Sequence, residues 1–215
     1  MKLYLYPPAP FSRKVLLATY ERGISLDLTV VTPFDPVAKE AMRKIHPIVS
    51  LPLLVTDSGS VIPESSVIAE YLDLITPGDP LLDRDPLAAL PMRSFDRYGD
   101  QLLTATQYLA FAMRKPESAQ NRSRIASNLR TVDEVLGILD RAVTGKAFLM
   151  GDRLTFADIG PICAVASLLS DKSIDGLSRW SELNRWFLQA TARPSWQRIV
   201  EESNEIPLPP GFAKP

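Results

Sequence analysis

The chain is poor in the residues on which much enzyme chemistry depends. It has one cysteine, Cys163, and one histidine, His46. A single cysteine excludes an intrachain disulfide and a cysteine metal cluster, and a single histidine excludes a histidine-rich metal site, so no metal is expected. Charge of one sign is not in excess. Against 24 basic residues stand 25 acidic ones, a net charge of −1, which argues against nucleic acid or an anionic membrane as the main partner. No stretch approaches the roughly 18 consecutive apolar residues that span a bilayer. The opening MKLYLYPPAP has one lysine, a short apolar run and then prolines, which does not read as a secretory signal. A cytoplasmic location is the expectation. What is present is a 215-residue chain with 46% apolar and 23% charged residues, enough for two small domains that each bury a core.

The first third alternates short apolar stretches with helical ones. Residues 2–6 (KLYLY) predict a strand, stopped by Pro7-Pro8. Residues 11–22 carry Phe11, Val15, Leu16 and Thr19-Tyr20 at helical spacing, with Gly23 as a stop. Residues 26–31 (LDLTVV) predict a second strand, and 37–45 a short helix after Pro33 and Pro36. Residues 52–56 and 60–62 flank Asp57-Ser58-Gly59, a hairpin signal. A helix over 65–75 follows, with Val67, Ile68, Tyr71, Leu72 and Ile75 on one face. The order β-α-β-α-β-β-α predicts a parallel pair with a right-handed crossover, closed by an antiparallel hairpin. The result is a mixed four-stranded sheet with helices on both faces.

Three prolines and a glycine between residues 76 and 86 mark a linker, and beyond it no strand pattern appears. The domain division is therefore 1–76, a linker at 77–86, and an all-helical part over 87–215. Helical stretches are predicted over 87–114 and 117–143, from about 155 onward, and over 182–191 and 195–202. The tail PLPPGFAKP is expected to lie extended on the surface. Thr155 and Asp158 are placed as a capping box, with Leu154 and Ile159 as its hydrophobic staple. The helix they open (FADIGPICAVASLL) is apolar almost all round, which predicts the buried centre of the helical part. Gly160 and Pro161 within it predict a slight kink, and Cys163 reads as a small core residue.

Four segments in this order resemble the cytosolic glutathione S-transferase superfamily: APFSRKVLLATYERGI, LPLLV, PESSVIAEYL and GDRLTFADI. The resemblance covers nearly the whole chain. It implies the glutathione-transferase fold, a thioredoxin-like α/β domain followed by an all-α domain. It further implies a transferase that binds glutathione as substrate, a detoxifying role, and pairing as a homodimer. Members hold the γ-glutamyl end of glutathione at the third helix start, which here is Glu64 and Ser65. A helix N-terminus suits a carboxylate on physical grounds as well, because it presents free N–H groups and partial positive charge. Ser65 adds a hydroxyl, and Glu64 can pair with the ligand ammonium. The plain alternative is a helix cap without ligand. Pro52 looks like the cis-proline of thioredoxin-like folds, which turns the N–H and C=O of Leu51 outward toward a peptide-like ligand.

The sequence departs from the family's pattern at two places. Relatives carry a thiol or hydroxyl just before the first helix, and that position is Ala9 here, which can neither ionise nor donate. Three substitutes remain open. Ser12 lies one turn on, where a redox motif has its second cysteine, and its hydroxyl either donates to a thiolate or bonds locally in the helix. Tyr6 or Tyr4 resembles the strand tyrosine of other classes. The N–H groups of Phe11 and Ser12 could also act alone with the helix dipole. The second departure is Ser50, which replaces the lysine that often meets the glycyl carboxylate. Lys39, Arg43 or Lys44 would then supply charge, while His46 reads as a turn-stabilising residue. The electrophile would lie along the first long helix, near Tyr98, Leu102, Thr106 and Tyr108-Leu109, residues equally suited to core or dimer packing. Arg97 and Arg114 read as solvated charges. The leading expectation is conjugation of glutathione to a small hydrophobic electrophile. The alternatives are a non-catalytic binding or regulatory module, for which Ala9 speaks, and glutathione-dependent cleavage or isomerisation of a metabolite.

Overall fold

A computed structural model describes residues 1–171 and 176–206 of the chain. The tail expected to lie extended falls outside the described residues. Among the described residues, Cα packing divides the chain into two compact units: Met1–Leu81 together with residues 197–206, and Leu82–Trp196.

The first unit contains strands β1 (Lys2–Leu5), β2 (Asp27–Val30), β3 (Leu53–Val55) and β4 (Val61–Pro63), with helices α1 (Pro10–Glu21), α2 (Pro36–Arg43) and α3 (Ser65–Ile75). The sheet order is β2-β1-β3-β4. β1 runs parallel to β2, with Leu3 opposite Leu28, and antiparallel to β3, with Leu3 opposite Leu54. The mixed sheet anticipated from the sequence is therefore present. The pleat sorts side chains between the two faces. Tyr4 and Leu53 point to one face, where they join Val31, Met42 and the α2 residue Ala38. Leu3, Leu5 and Leu54 point to the other and are fully buried, and there α1 and α3 pack on one another. The Asp35 side chain starts α2 by accepting the Val37 N–H at 2.9 Å.

Two side chains at the end of α1 tie distant chain to this unit. Arg22 follows its last turn and pairs with buried Asp73 at 2.9 Å. The same guanidinium donates to the carbonyls of Thr76 (2.6 Å), Pro77 (3.0 Å) and Asp79. Asp73 in turn accepts the Leu81 N–H at 2.8 Å. The proline-rich segment after α3 is thus pinned rather than loose. Tyr20 donates its hydroxyl to Glu202 at 2.5 Å, and Ser203 donates to the Pro7 carbonyl at 3.1 Å. Both partners lie on the last helix, Pro194–Asn204.

The second unit holds α4 (Pro86–Met113), α5 (Arg122–Val143), α6 (Phe156–Ser170) and α7 (Ser181–Thr191), and the last helix is α8 (Pro194–Asn204). The helical stretch expected over 117–143 is split. Glu117–Ala119 is one 3₁₀ turn, and α5 begins only at Arg122, because the Asn121 side chain accepts the Arg124 N–H at 3.0 Å. α6 is the buried centre, with Cys163 at 1% exposure inside it. Its capping box is formed, with the Thr155 N–H on Asp158 Oδ2 at 2.9 Å. The Gly160-Pro161 pair has a packing role. A Cβ on Gly99 of α4 would lie 2.6 Å from the Gly160 carbonyl carbon, so the two backbones meet where no side chain fits. Among the described residues no helix is long and apolar enough to cross a membrane.

Candidate functional site

Two helix starts and one proline loop in the first unit carry the residues singled out from sequence. At α3 the N-cap is Glu64, with φ at 69°, in the left-handed region that non-glycine residues seldom occupy. Its side chain makes no capping hydrogen bond. The first intrahelical bond is the Ile68 N–H to the Glu64 carbonyl, at 2.9 Å. The N–H groups of Ser65, Ser66 and Val67 therefore lie ahead of the helical ladder. Ser65 is 6% exposed, and among the described residues its hydroxyl has no hydrogen-bond partner. An acid and a hydroxyl without hydrogen-bond partners among the described residues thus stand at a turn whose N–H groups precede the helical ladder.

The start of α1 has the same backbone character without a side chain to use it. Ala9 is the N-cap, no side chain caps the helix, and Pro10 at the first position has no N–H. The first intrahelical bond is Arg13 N–H to the Ala9 carbonyl, at 3.0 Å, which leaves the N–H groups of Phe11 and Ser12 ahead of the ladder. The Ser12 hydroxyl bonds neither a ligand-facing edge nor its own helix. It is fully buried and accepts the Tyr6 N–H at 3.1 Å, holding the end of β1 to the helix. Tyr6 is 5% exposed and meets Phe34 edge to face at 6.4 Å. Burial pushes its phenol pKa up, which keeps it protonated. Tyr4 lies in the apolar cluster facing α2.

In the loop before β3 the Leu51-Pro52 peptide bond is cis. The Leu51 side chain packs with Val49 and Ile45 on the Val31–Met42–Leu53 cluster. Among the described residues no hydrogen bond engages the Leu51 N–H or C=O. His46 Nδ1 lies 3.0 Å from the Ile48 carbonyl, and the Ser50 N–H reaches the same oxygen at 3.0 Å. The histidine thus shapes the turn. Lys39, Arg43 and Lys44 are exposed, and Arg43 lies 3.6 Å from Glu40.

The electrophile candidates fare differently. Leu102, Thr106 and Leu109 are fully buried within the helical unit, and Thr106 donates to the Leu102 carbonyl at 2.8 Å. They are core residues. Tyr98 meets Phe95 edge to face at 6.0 Å, and Tyr108 lies under Arg124 at 4.4 Å. Arg97 bridges Asp96 and Asp100, at 2.6 and 3.1 Å.

Sequence reasoning passed over one pair. Lys14 is fully buried, and its Nζ donates to Ser66 Oγ at 2.7 Å, linking α1 to the opening turn of α3. Its position holds the only available signal. Lys14 sits between Arg13 and Val15, on the buried side of a helix whose residues 12–19 are all buried.

Comparison with known proteins places the two units. The family model described as "Glutathione S-transferase, N-terminal domain" matches residues 9–75, and "Glutathione S-transferase, C-terminal domain" matches 103–194. Glutathione S-transferase D7 of Drosophila melanogaster is 30% identical over 208 residues, covering 94% of this chain and 89% of that protein. A glutathione S-transferase of Methylobacillus flagellatus, solved with glutathione bound, has a TM-score of 0.84 at 26% identity, covering 92% of this chain and 98% of that one. A glutathione S-transferase of Methylobacterium radiotolerans, in complex with glutathione sulfonate, has a TM-score of 0.82 at 27% identity, covering 92% of each chain.

Proposed function

The chain belongs to the glutathione S-transferase family, and on that premise we propose that it binds glutathione and adds its thiolate to a small hydrophobic electrophile. One observation carries the reading: the α3 start, with the Ser65 hydroxyl uncommitted, the first-turn N–H groups ahead of the helical ladder and Glu64 making no capping hydrogen bond. The γ-glutamyl carboxylate would take the Ser65 hydroxyl and the N–H groups, and the ammonium would take Glu64. The Leu51 N–H and C=O would pair with the peptide part, with Pro52 closing that loop and Ser50 beside it. Two relatives with solved structures hold glutathione or its sulfonate, which supports this choice of ligand.

The thiol would meet the α1 start. Its donors there are the N–H groups of Phe11 and Ser12; the Ser12 hydroxyl accepts the Tyr6 N–H and keeps its own proton to donate. In the reaction the sulfur forms a bond to the electrophilic carbon, the leaving group departs with its electron pair, and the thiol proton goes to solvent. No metal takes part. Exposed apolar residues on α3 (Val67, Leu74) and on α4 (Leu87, Leu90) suit a cytoplasmic homodimer.

Calorimetric titration of Glu64→Ala and Ser65→Ala with glutathione tests the site. Loss of a charge-assisted contact is expected to weaken binding by about 1.5–3 kcal/mol in each variant, or roughly tenfold to a hundredfold. Unchanged affinity in both would refute the assignment. Binding without turnover across a broad panel, activated aryl halides included, would favour the non-catalytic reading for which Ala9 speaks.

A further inference from the structure

We infer that the first unit carries a further small-molecule site, a cleft bounded by the end of α1, the turn into β2 and α8, which takes an amphipathic monocarboxylate on Arg198. None of its residues serves the proposed glutathione reading.

The cleft has a volume of about 290 Å³, roughly ten water volumes and near the lower end for ligand sites. The turn after α1 shapes it. Gly23 stands at φ 64°, a conformation open to glycine, and the N–H groups of Gly23 and Ile24 return to the carbonyls of Tyr20 and Thr19 at 3.1 and 2.9 Å. Ser25 follows, and among the described residues neither its N–H nor its hydroxyl has a hydrogen-bond partner. Ile24, Leu26 and Leu28 supply apolar lining. Leu28 is paired with Leu3 across the sheet and so lies on the α1 side, yet it stays 37% exposed.

Arg198 is the one charged side chain in the lining, among the described residues. It is held in place. Its Nε donates to Glu202 at 2.8 Å, and its guanidinium carbon lies 4.0 Å from the centre of the Tyr20 ring. Glu202 divides its charge, since it also accepts the Tyr20 hydroxyl at 2.5 Å. Beyond the nitrogen that Glu202 takes, the guanidinium has two Nη groups, on a side chain that is 59% exposed. That edge of a guanidinium matches a carboxylate bidentately. A purely apolar ligand would leave the guanidinium and Ser25 unused, and a second negative charge would have no second cation to meet. A single carboxylate on an apolar chain uses Arg198, Ser25 and the Ile24–Leu26–Leu28 surface together.

Octanoate is the probe, and octanamide, which keeps the chain and lacks the charge, is its control. Titration of the full chain followed by nuclear magnetic resonance is expected to show saturable octanoate binding with Kd below about 1 mM. Octanamide should bind about fivefold more weakly or worse. Arg198→Gln should lose roughly fivefold or more for octanoate and leave octanamide within about twofold. Glu202→Gln removes the competing charge and keeps an acceptor for Tyr20, so octanoate should bind it at least as tightly as wild type. Leu28→Trp fills the cleft without touching the cation and should abolish binding of both probes. Equal affinity for the two probes, octanoate affinity in Arg198→Gln within about twofold of wild type, or undiminished binding to Leu28→Trp would each overturn the site. If Arg198→Gln does not fold by circular dichroism, the probe pair and Leu28→Trp decide. A wild type that binds octanoate but not glutathione refutes the proposed function and leaves this site standing. One that binds glutathione and shows no saturable octanoate binding refutes this site alone.

Discussion

Asp158 offers a quantitative test of how the helical unit is held. Its carboxylate is fully buried and receives four hydrogen bonds. Oδ1 accepts the Leu149 N–H at 2.9 Å and Trp186 Nε1–H at 3.0 Å. Oδ2 accepts the Thr155 N–H at 2.9 Å and the Thr155 hydroxyl at 3.0 Å. Burial pushes the pKa of this group up, and the four donors pull it back. Replacement by alanine strands three N–H groups, because only the hydroxyl can turn elsewhere. At about 1–3 kcal/mol per orphaned buried donor the loss is about 3–9 kcal/mol, comparable with the whole stability of an ordinary domain. Asp158→Ala should therefore fail to accumulate as folded protein. Asp158→Asn is the measurable variant. Its amide oxygen can replace Oδ1, while its NH2 faces the Thr155 N–H, donor against donor. One orphan plus weaker neutral bonds predicts a loss of about 2–4 kcal/mol. Urea unfolding followed by tryptophan fluorescence and by circular dichroism would show this as a midpoint lowered by about 1–2 M, using a slope of about 2 kcal/mol/M. Both probes are needed, because a chain of two units need not unfold in one step. A midpoint within about 0.3 M of wild type would refute the assignment of Asp158 as the hub joining the start of α6 to α7.

Tyr20 predicts an alkaline effect. Burial and the Glu202 carboxylate raise its pKa well above the ordinary value of 10, so the folded chain keeps a proton that the unfolded chain releases above about pH 10. Stability from this group is then complete below pH 10 and falls as pH rises further. Tyr20→Phe should cost about 1 kcal/mol at pH 8, a gap in thermal melts that narrows toward pH 11; a gap unchanged across that range would refute the coupling to Glu202. Ala9→Ser places a capping hydroxyl before Phe11 and Ser12 and should stabilise the free protein by about 1 kcal/mol. Saturating glutathione should shrink that gain, because sulfur and serine would compete for the same N–H groups, and a gain equally large with and without tripeptide would show that the sulfur lies elsewhere.

The sheet was legible because its signals are local. KLYLY ends at two prolines, Asp57-Ser58-Gly59 closes the hairpin, and period-2 alternation sets which face each strand residue takes. The capping box at Thr155 was legible for the same reason, since its two halves lie three residues apart. The start of α5 was misjudged because a 3₁₀ turn and a helix share a polar composition, and only the Asn121 side chain separates them. Pairings across long stretches of chain left no trace in the pattern: Tyr20 with Glu202, Lys14 with Ser66, and Gly99 against Gly160. The glycine-proline pair in α6 looks like a kink to a reader of one helix. It is a contact surface once the second helix is in place. Of the candidate site residues, Leu51 precedes the cis peptide bond at Pro52, and Glu64 and Ser65 open α3. Ser12 could not be placed from sequence, because its hydroxyl is decided by the neighbouring strand end rather than by its own helix.

On the proposed reading, the departures from the family's pattern separate affinity from reactivity. The α3 end keeps an acid, a hydroxyl and backbone donors ahead of the helical ladder, so the grip on the glutamyl group needs nothing from Ala9. At the sulfur end Ala9 offers no thiol or hydroxyl, and the backbone N–H groups of Phe11 and Ser12 lie ahead of the helix. A free thiol has a pKa of about 8.5, and a helix start contributes about 0.3–1 kcal/mol, up to about 2 in favourable geometry. At about 1.4 kcal/mol per unit, this lowers the pKa by about one unit and raises the thiolate fraction near neutral pH less than tenfold. An enzyme built this way gains its rate mainly from holding thiol and electrophile together rather than from activating the sulfur. Electrophiles that already react with free thiols are the substrates such a site can serve.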